Sequence, residues 1–202
     1  DINTGTDIEP ETYQGKTLAN AVWDRGALSA DRCIDLGLSL SDALAHLHSK
    51  DLIHRDVKPA NIIFVAGYPK LADIGLVTEA HTASTYVGTE GFIPPEGPNS
   101  PQGDVFSLGK TLYEILTGQD RNQFPALPAS FANDGQADSN YVELIEIINH
   151  ACHHDRAVRY ASARAMHAEI TGLANGRSIR RLRLLERRMS FISRFSKLAA
   201  LF

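Results

Sequence analysis

The stretch IHRDVKPANIIF, residues 53–64, places an aspartate, a lysine and an asparagine between two short apolar segments. A carboxylate on a rigid loop can accept a proton from an attacking hydroxyl, and a nearby cation can stabilise charge that develops on a transferred phosphoryl group. Asp56 and Lys58 have the residue types and the close spacing that these two roles require. The stretch therefore predicts a loop that carries phosphoryl-transfer chemistry.

Short strands are predicted around this loop. LIH (52–54) and NIIFV (61–65) have strand composition, AGYP supplies turn residues, and KLAD (70–73) predicts a third strand, which together indicate a pair of small hairpins. Asn61 and Asp73 would then come from adjacent strands, where their oxygens suit a divalent metal that holds ATP phosphates. Taken alone, each of these motifs is equally consistent with polar loop residues that cap turns.

Apolar residues at helical spacing predict four helices and a fold class that is mainly α with small β-hairpins. Ser29 is placed to cap the first helix, and Gly118 is placed to end the second, which is apolar on most faces. The segment from His81 to Ser100 carries scattered glycines and prolines and predicts a long loop. The predicted helices are Ala30–Ser49, Asp104–Gly118, Tyr141–His153 and Ser162–Leu173.

Composition is that of an ordinary globular chain, with 202 residues, 43% hydrophobic and 22% charged. Cys33 and Cys152 lack the spacing of a zinc site or a disulfide framework, which favours a reducing, cytoplasmic compartment. The acidic amino terminus lacks the features of a secretory signal, and no stretch reaches the roughly 18 apolar residues of a membrane span. From Arg177 onward, eight Lys or Arg residues face one Glu, so a basic tail follows an acidic body.

Four segments in order resemble the eukaryotic-type protein kinase family, specifically its Ser/Thr branch. HRDVKPAN is similar to the catalytic loop, ADIG to the metal-binding segment, GTEGFIPPE to the end of the activation segment, and DVFSLGKTLYEILTG to the buried central helix. The resemblance covers roughly Glu11 to Leu173 and implies the fold of the large, carboxy-terminal lobe. It also implies a protein substrate, with ATP and Mg²⁺ as cofactors and Mn²⁺ as an alternative metal.

The resemblance implies a role for each matching residue. Asp56 is expected to be the catalytic base and Lys58 the lysine that contacts phosphate, while Lys58 with Thr89 is typical of the Ser/Thr pattern. Asn61 and Asp73 are expected to bind the metal and ATP, and Ile63 to form the floor under adenine.

Supporting roles follow from the same resemblance. Glu96 is expected to pair with Arg159, and Asp104 to accept hydrogen bonds from the backbone of the catalytic loop. His54 is expected to be structural, as is Gly75 of the metal segment. Arg55 implies control by a phosphate on the activation segment, for which the candidate acceptors are Thr78, Thr82, Ser84 and Thr85.

The sequence departs from the family pattern in three places. Ile74 replaces the phenylalanine of the metal segment, and the helix expected between Gly118 and Asn140 looks shortened or missing. No glycine-rich loop, strand lysine or partner glutamate precedes the catalytic loop, so the small lobe is expected to be absent. The expected division is a hinge remnant and N-terminal strand at 1–15, the large lobe at 16–176 and a basic amphipathic helix at 177–202.

Two further features admit alternatives. His150, Cys152, His153 and His154 could be a metal site, but the segment aligns with the family's late helices and favours helix-end and surface histidines. The tail at 177–202 could bind anionic lipid at the inner face of a membrane, as a juxtamembrane segment does in bacterial membrane-attached Ser/Thr kinases. It could instead pack on a partner helix or on the lobe itself. Nucleic acid is the weakest interpretation, since no aromatic platform accompanies the charge.

Three functions remain open at this point. The first is an active Ser/Thr protein kinase of which this chain is the catalytic lobe, cut at the hinge. The second is a pseudokinase or scaffold lobe without catalysis, which the missing small lobe and Ile74 favour. The third is a small-molecule phosphotransferase, against which GTEGFIPPE argues, because that segment is a platform for peptide substrates.

Overall fold

The computed structural model describes residues 17–79, 87–129 and 139–185. Five helices and four short strands have both ends within these ranges, so the prediction of a mainly α fold with small β-elements is confirmed. The predicted hinge remnant at 1–15 lies outside the described residues. The helices are α1 (Leu18–Arg25), α2 (Ala30–His48), α3 (Pro101–Thr117), α4 (Ser139–Ala151) and α5 (Ala163–Ala174).

Helix α2 and helix α3 form the centre of the core. The hydroxyl of Ser29 accepts a hydrogen bond from the amide of Arg32 at 3.4 Å and caps α2, and Gly118 ends α3 with a left-handed backbone. Helix α3 is buried along almost its whole length. A Cβ at Gly109 would lie 2.6 Å from Cys152 Sγ, so this glycine lets α3 and the end of α4 come into contact.

The strands form two antiparallel pairs. Strand β2 (Ile62–Val65) pairs with β3 (Tyr68–Leu71) across a tight turn at Ala66 and Gly67, whose φ values of 50° and 83° suit a hairpin. The other pair joins β1 (Leu52–Ile53) to β4 (Thr78–Glu79). One of the two predicted hairpins, β2–β3, is therefore confirmed. The other is wrong, because β1 pairs with β4, a strand beyond the metal segment that the sequence pattern did not indicate.

Helix α1 is also absent from the sequence prediction. It is short, and its first turn contains no acidic residue, although the hydroxyl of Thr17 caps it by accepting from Asn20 N at 3.2 Å. Between Gly118 and Asn140, where a shortened or missing helix was expected, the described part holds a 3₁₀ turn at Arg121–Gln123. Residues 130–138 of that segment lie outside the described ranges.

The first part of the basic tail packs on the helices. Residues 179–185 are helical, and Ile179 is 2% exposed. Glu143 of α4 accepts hydrogen bonds from Ser178 Oγ at 2.7 Å and Arg180 N at 2.8 Å, and Arg183 donates to Glu169 of α5 at 2.7 Å. This part of the tail thus follows the self-packing interpretation. Within the described ranges, no helix is long and apolar enough to cross a bilayer.

Candidate active site

Asp56, Lys58 and Thr89 form a closed triangle of hydrogen bonds. Lys58 Nζ donates to Asp56 Oδ2 and to Thr89 Oγ1, both at 2.7 Å, and Thr89 Oγ1 donates to Asp56 Oδ1 at 2.7 Å. The catalytic loop supplies two corners, and Thr89, thirty-three residues later, supplies the third. The three residues that were assigned to catalysis from the sequence therefore lie together, and the Asp56 carboxylate accepts a hydrogen bond from each of the other two.

Asn61 holds the same carboxylate from the other side. Its Nδ2 donates to Asp56 Oδ2 at 2.8 Å and to the Asp56 carbonyl at 2.9 Å. Asp56 is only 5% exposed, and this burial is the largest single influence on its pKa and acts to raise it. Hydrogen bonds from Lys58, Thr89 and Asn61, together with the charge of Lys58, outweigh burial and lower the pKa of Asp56 below its ordinary value. The carboxylate is held ionised.

The open end of the β2–β3 hairpin brings Asn61 close to Asp73. Asn61 precedes β2 and Asp73 follows β3, and the amide of Ala72 donates to the Asn61 carbonyl at 2.8 Å. The bonds that Asn61 makes through its side chain to other described residues use Nδ2, which leaves Oδ1 as an acceptor. Asp73 is exposed. An amide oxygen and an exposed carboxylate fit Mg²⁺, which is commonly held by one or two protein oxygens together with substrate phosphates.

Asp104, fully buried near the start of α3, anchors the catalytic loop. Its Oδ2 accepts from the amide of His54 and its Oδ1 from the amide of Arg55, each at 2.8 Å. His48 Nε2, on α2, also lies 2.8 Å from Oδ2. The two backbone bonds were predicted from the sequence, whereas the contact with His48 was not.

Two side chains of the loop reach the metal segment. His54 Nε2 hydrogen-bonds to the Ala72 carbonyl at 3.1 Å, and Arg55 Nε donates to the Leu76 carbonyl at 2.7 Å. Arg55 and Asp73 have left-handed φ values of 67° and 57°, which non-glycine residues adopt at some cost. The surrounding hydrogen bonds hold both segments in this geometry.

Glu96 and Arg159 form a two-pronged ion pair. Arg159 Nη1 lies 2.5 Å from Glu96 Oε1, and Nη2 lies 3.0 Å from Oε2. The Arg159 side chain is fully buried and also donates from Nε to the His153 carbonyl at 2.8 Å. Burial acts to raise the pKa of Glu96, but the hydrogen bonds from Arg159, a backbone hydrogen bond and the charges of Arg159 and Arg156 together outweigh it and lower that pKa. The end of the activation segment is thereby attached to the helices.

A family model described as protein kinase domain matches residues 8–170. The chain belongs to the eukaryotic-type Ser/Thr protein kinase family. Members of this family use ATP and Mg²⁺, and a kinase domain implies a protein substrate.

Similar proteins are found in bacteria and in a plant. The chain is 32% identical over 187 residues to serine/threonine-protein kinase PknL of Mycobacterium tuberculosis, which covers 81% of this chain and 46% of the relative. It is 34% identical over 143 residues to serine/threonine-protein kinase PknA of Nostoc, covering 63% and 25%. For 3-phosphoinositide-dependent protein kinase 1 of Arabidopsis thaliana, the identity is 35% over 127 residues, covering 54% and 26%. The chain spans less than half the length of each relative.

Other predicted residues of the kinase domain lie around this centre. Ile63 is half-buried in β2 and forms a bridge with Thr17, and Gly75 donates its amide to Asp73 Oδ1 at 3.4 Å. Thr78, a candidate phosphosite, lies in β4 opposite Ile53. The other three candidates, Thr82, Ser84 and Thr85, lie outside the described residues, and so does the side chain of Ile74.

The histidines at the end of α4 and just after it are not arranged as a metal centre. Among the described residues, no group of three or more His, Cys, Asp or Glu side chains could hold a metal ion. His150 Nε2 lies 2.7 Å from the Val158 carbonyl, and the rings of His153 and His154 are stacked. Burial raises the pKa of the Cys152 thiol to about 12. These contacts support the structural interpretation of the cluster.

Two buried or half-buried cations near the site were missed from the sequence. Lys110, 7% exposed within α3, donates to the Arg121 carbonyl at 2.6 Å, and burial lowers its pKa. Arg121 donates from Nε to the Glu90 carbonyl at 3.0 Å. Lys110 lies in a helix that is buried along almost its whole length, and a cation in the middle of such a helix is a signal that could have singled it out.

Proposed function

We propose that this chain is the catalytic lobe of a Ser/Thr protein kinase that transfers the γ-phosphate of ATP to serine or threonine hydroxyls of a protein. The observation that carries the proposal is the Asp56 carboxylate, buried, held ionised and already accepting a hydrogen bond from a hydroxyl, that of Thr89, at 2.7 Å. A substrate hydroxyl is chemically equivalent to this donor. Asp56 can therefore orient such a hydroxyl and accept its proton as the oxygen attacks phosphorus.

Lys58 serves the same step through charge. Its Nζ lies 2.7 Å from Asp56 Oδ2, and the Lys58 side chain is 23% exposed. Lys58 can therefore reach a phosphate oxygen while it remains beside the base. A cation at this position stabilises negative charge on the transferred group. Mg²⁺ bound by Asn61 Oδ1 and Asp73 would neutralise charge on the phosphates, and Mn²⁺ fits the same oxygen donors.

We propose further that the chain works with a small lobe, which in this family orients the nucleotide phosphates. The residues of this chain supply the proton acceptor, Asp56, and the metal ligands, Asn61 and Asp73. In this family the lysine that orients the nucleotide phosphates belongs to the small lobe. Transfer by the chain alone is therefore expected to be weak. Transfer should rise strongly when the chain is joined to a small lobe from a related kinase.

The test is transfer of labelled γ-phosphate from Mg·ATP to a general protein substrate, by the chain alone and by the chain joined to a small lobe. Asp56→Asn is expected to reduce transfer by about 10²–10⁴-fold, the usual contribution of a general base. The variant should stay folded, because the amide oxygen can accept from Lys58 and Asn61 while the amide nitrogen donates to the Thr89 hydroxyl, which can also act as an acceptor. Transfer by Asp56→Asn at the unmodified rate would refute the assignment, and no transfer by either form would favour a scaffold.

A further inference from the structure

Arg183, in the helical first part of the tail, reaches a polar cluster between α4 and α5. Its Nη2 donates to Glu169 Oε2 at 2.7 Å and to the hydroxyl of Tyr160 at 3.4 Å. The same nitrogen contacts His150 Nδ1. The side chains of Arg183 and Glu169 are 18% and 13% exposed, so their ion pair is largely shielded from water. One tail residue thus joins the end of α4, α5 and the loop between these two helices.

His150 and Tyr160 are oriented so that both contact Arg183. His150 Nε2 lies 2.7 Å from the Val158 carbonyl, which only accepts, so Nε2 carries a proton and Nδ1 is the acceptor for Arg183. Tyr160 is 4% exposed, and its ring lies 4.0 Å from that of His150. Burial and the charge of Glu169 raise the pKa of Tyr160, whose hydroxyl donates to that carboxylate. Arg183 supplies the positive charge that pairs with this shielded carboxylate.

The loop that the cluster holds also carries Arg159. Val158 and Tyr160 flank Arg159, the arginine whose guanidinium binds both carboxylate oxygens of Glu96. On one side of Arg159, the ring of His150 holds the Val158 carbonyl. On the other side, the Tyr160 hydroxyl lies within the cluster that the tail arginine completes. The backbone that positions the ion pair to the activation segment is therefore held, on both sides, by residues that contact the tail.

The tail helix is attached to the lobe with little apolar burial among its described residues. Ile179 is 2% exposed, whereas three leucines are 42–53% exposed, namely Leu182, Leu184 and Leu185. The described contacts at Glu143 and Glu169 are polar. Since apolar burial is the main favourable term in packing, the attached and released arrangements of this helix differ little in free energy. The tail is thus a two-state element, which a coupling between distant residues requires.

We propose that Arg183 is a positioning residue for the kinase reaction. Attachment of the tail through Arg183 fixes the loop around Arg159, and Arg159 fixes the end of the activation segment through Glu96. Release of the tail loosens this platform for the peptide substrate, while the catalytic loop keeps its own anchor, Asp104. The effect on catalysis rests on the proposed function, whereas the effect on the activation segment does not.

Backbone hydrogen exchange tests the structural part without any need for activity. The variants are Arg183→Gln, which removes the charge, and Arg183→Lys, which keeps it. Arg181→Gln, which changes an exposed arginine of the same helix, is the matched control. The amides of Phe92 and Gly97, bonded to carbonyls within the activation segment, should exchange about tenfold faster in Arg183→Gln. Arg183→Lys should lie between this variant and the unmodified chain, and Arg181→Gln should match the unmodified chain.

A comparison with the core separates positioning from general stabilisation. The amide of Leu112, in the middle of the buried helix α3, exchanges through unfolding of the whole lobe. In Arg183→Gln, the acceleration at Gly97 should exceed that at Leu112. Equal acceleration at both amides, or an unchanged rate at Gly97, would overturn the proposal.

A double-mutant cycle tests whether Arg183 acts through the ion pair. Once Glu96→Gln has weakened the contact with Arg159, adding Arg183→Gln should accelerate exchange at Gly97 by much less than it does in the unmodified chain. Fully additive effects of the two substitutions would mean that Arg183 acts on the activation segment by another route, and the proposal would fail.

Steady-state kinetics of the chain joined to a small lobe test the consequence for catalysis. Arg183→Gln should raise the KM for an acceptor peptide by about tenfold and leave the KM for ATP unchanged, because Asn61 and Asp73 belong to the β2–β3 hairpin. Arg183→Lys should restore part of the loss. A fall in kcat with both KM values unchanged would contradict the positioning role. If no form transfers phosphate, the proposed function fails, and exchange at Gly97 still decides whether Arg183 positions the activation segment.

Discussion

Asp56 and Asp73, the two acidic residues of the candidate active site, have opposite surroundings. Asp56 is 5% exposed, and its carboxylate accepts hydrogen bonds from three side chains at 2.7–2.8 Å. Asp73 is exposed, and the bond that its side chain accepts from Gly75 N is 3.4 Å long. Both segments include a left-handed residue, but only the Asp56 loop is anchored by a buried carboxylate, Asp104.

The difference follows from what each carboxylate is proposed to do. A proton acceptor must be oriented and kept ionised before a substrate arrives, so it is surrounded by donors from the chain itself. A metal ligand must keep its lone pairs available, so contacts with the chain would compete with the ion. The surroundings of Asp56 are therefore complete within the chain, whereas those of Asp73 leave its oxygens accessible.

The largest effect is expected where the rigid loop is anchored. Asp104→Ala removes the acceptor for the amides of His54 and Arg55 and for His48, all in a buried environment. Unpaired buried donors are costly, and the free energy of unfolding should fall by about 3–5 kcal/mol. Urea unfolding measures the loss, and hydrogen exchange at His54 and Arg55 should become fast.

A matched control for this change is Asp42→Ala, an exposed aspartate of α2. Its free energy of unfolding should stay within about 0.5 kcal/mol of the unmodified chain, as is usual for surface sites. If Asp104→Ala cost no more than the control, the catalytic loop would be held by other contacts, and the contrast between the two segments would lose its structural basis.

Local sequence patterns were sufficient for the parts of the fold that depend on local physics. The apolar spacing of α2 to α5 predicted four helices to within a few residues, and HRDVKPAN placed Asp56, Lys58 and Asn61 at one site. Helix α1 was missed because it is short and its apolar pattern is brief. The β1–β4 pair was missed because two-residue strands are specified by the partner and carry little signal of their own.

Long-range polar contacts were the least predictable part of the site. His48 and Asp104 are separated by 56 residues, and Arg121 reaches Glu90 across 31. Neither histidine nor arginine has a periodicity that indicates its partner, and both contacts exist only because α2, α3 and the activation segment pack together. The bond from Thr89 to Asp56 spans 33 residues, and it was the family resemblance, not the local pattern, that selected Thr89.

A smaller effect is expected when one donor to Asp56 is removed. Lys58→Met deletes a hydrogen bond and a positive charge but leaves the carboxyl buried, so the pKa of Asp56 should rise. In the unmodified chain the folded pKa lies below the unfolded one. Ionised Asp56 therefore stabilises the fold above its ordinary pKa, and this contribution is lost as pH falls through the folded pKa.

Carbon-13 NMR of the labelled Asp56 carboxyl measures this pKa directly, without depending on activity. The midpoint should move to higher pH in Lys58→Met and stay in place in Lys50→Met, which changes an exposed lysine after α2. An unmoved midpoint in Lys58→Met would mean that Thr89 and Asn61 alone keep the carboxylate ionised, and Lys58 would then act only on the phosphate.

The smallest structural effect, and the clearest separation of the two acidic residues, is expected for Asp73→Asn. Asparagine tolerates the left-handed φ of 57° at this position, and the carboxylate is exposed, so the free energy of unfolding should change by less than about 0.5 kcal/mol. Transfer supported by Mg²⁺ or Mn²⁺ should nevertheless be lost.

Asp51→Asn is a close control, because Asp51 is also exposed and has a φ of 58°, and it should leave both stability and transfer unchanged. A destabilisation of Asp73→Asn as large as that of Asp104→Ala would make Asp73 a structural residue like the buried one, whereas undiminished transfer across a metal titration would remove it from the metal site.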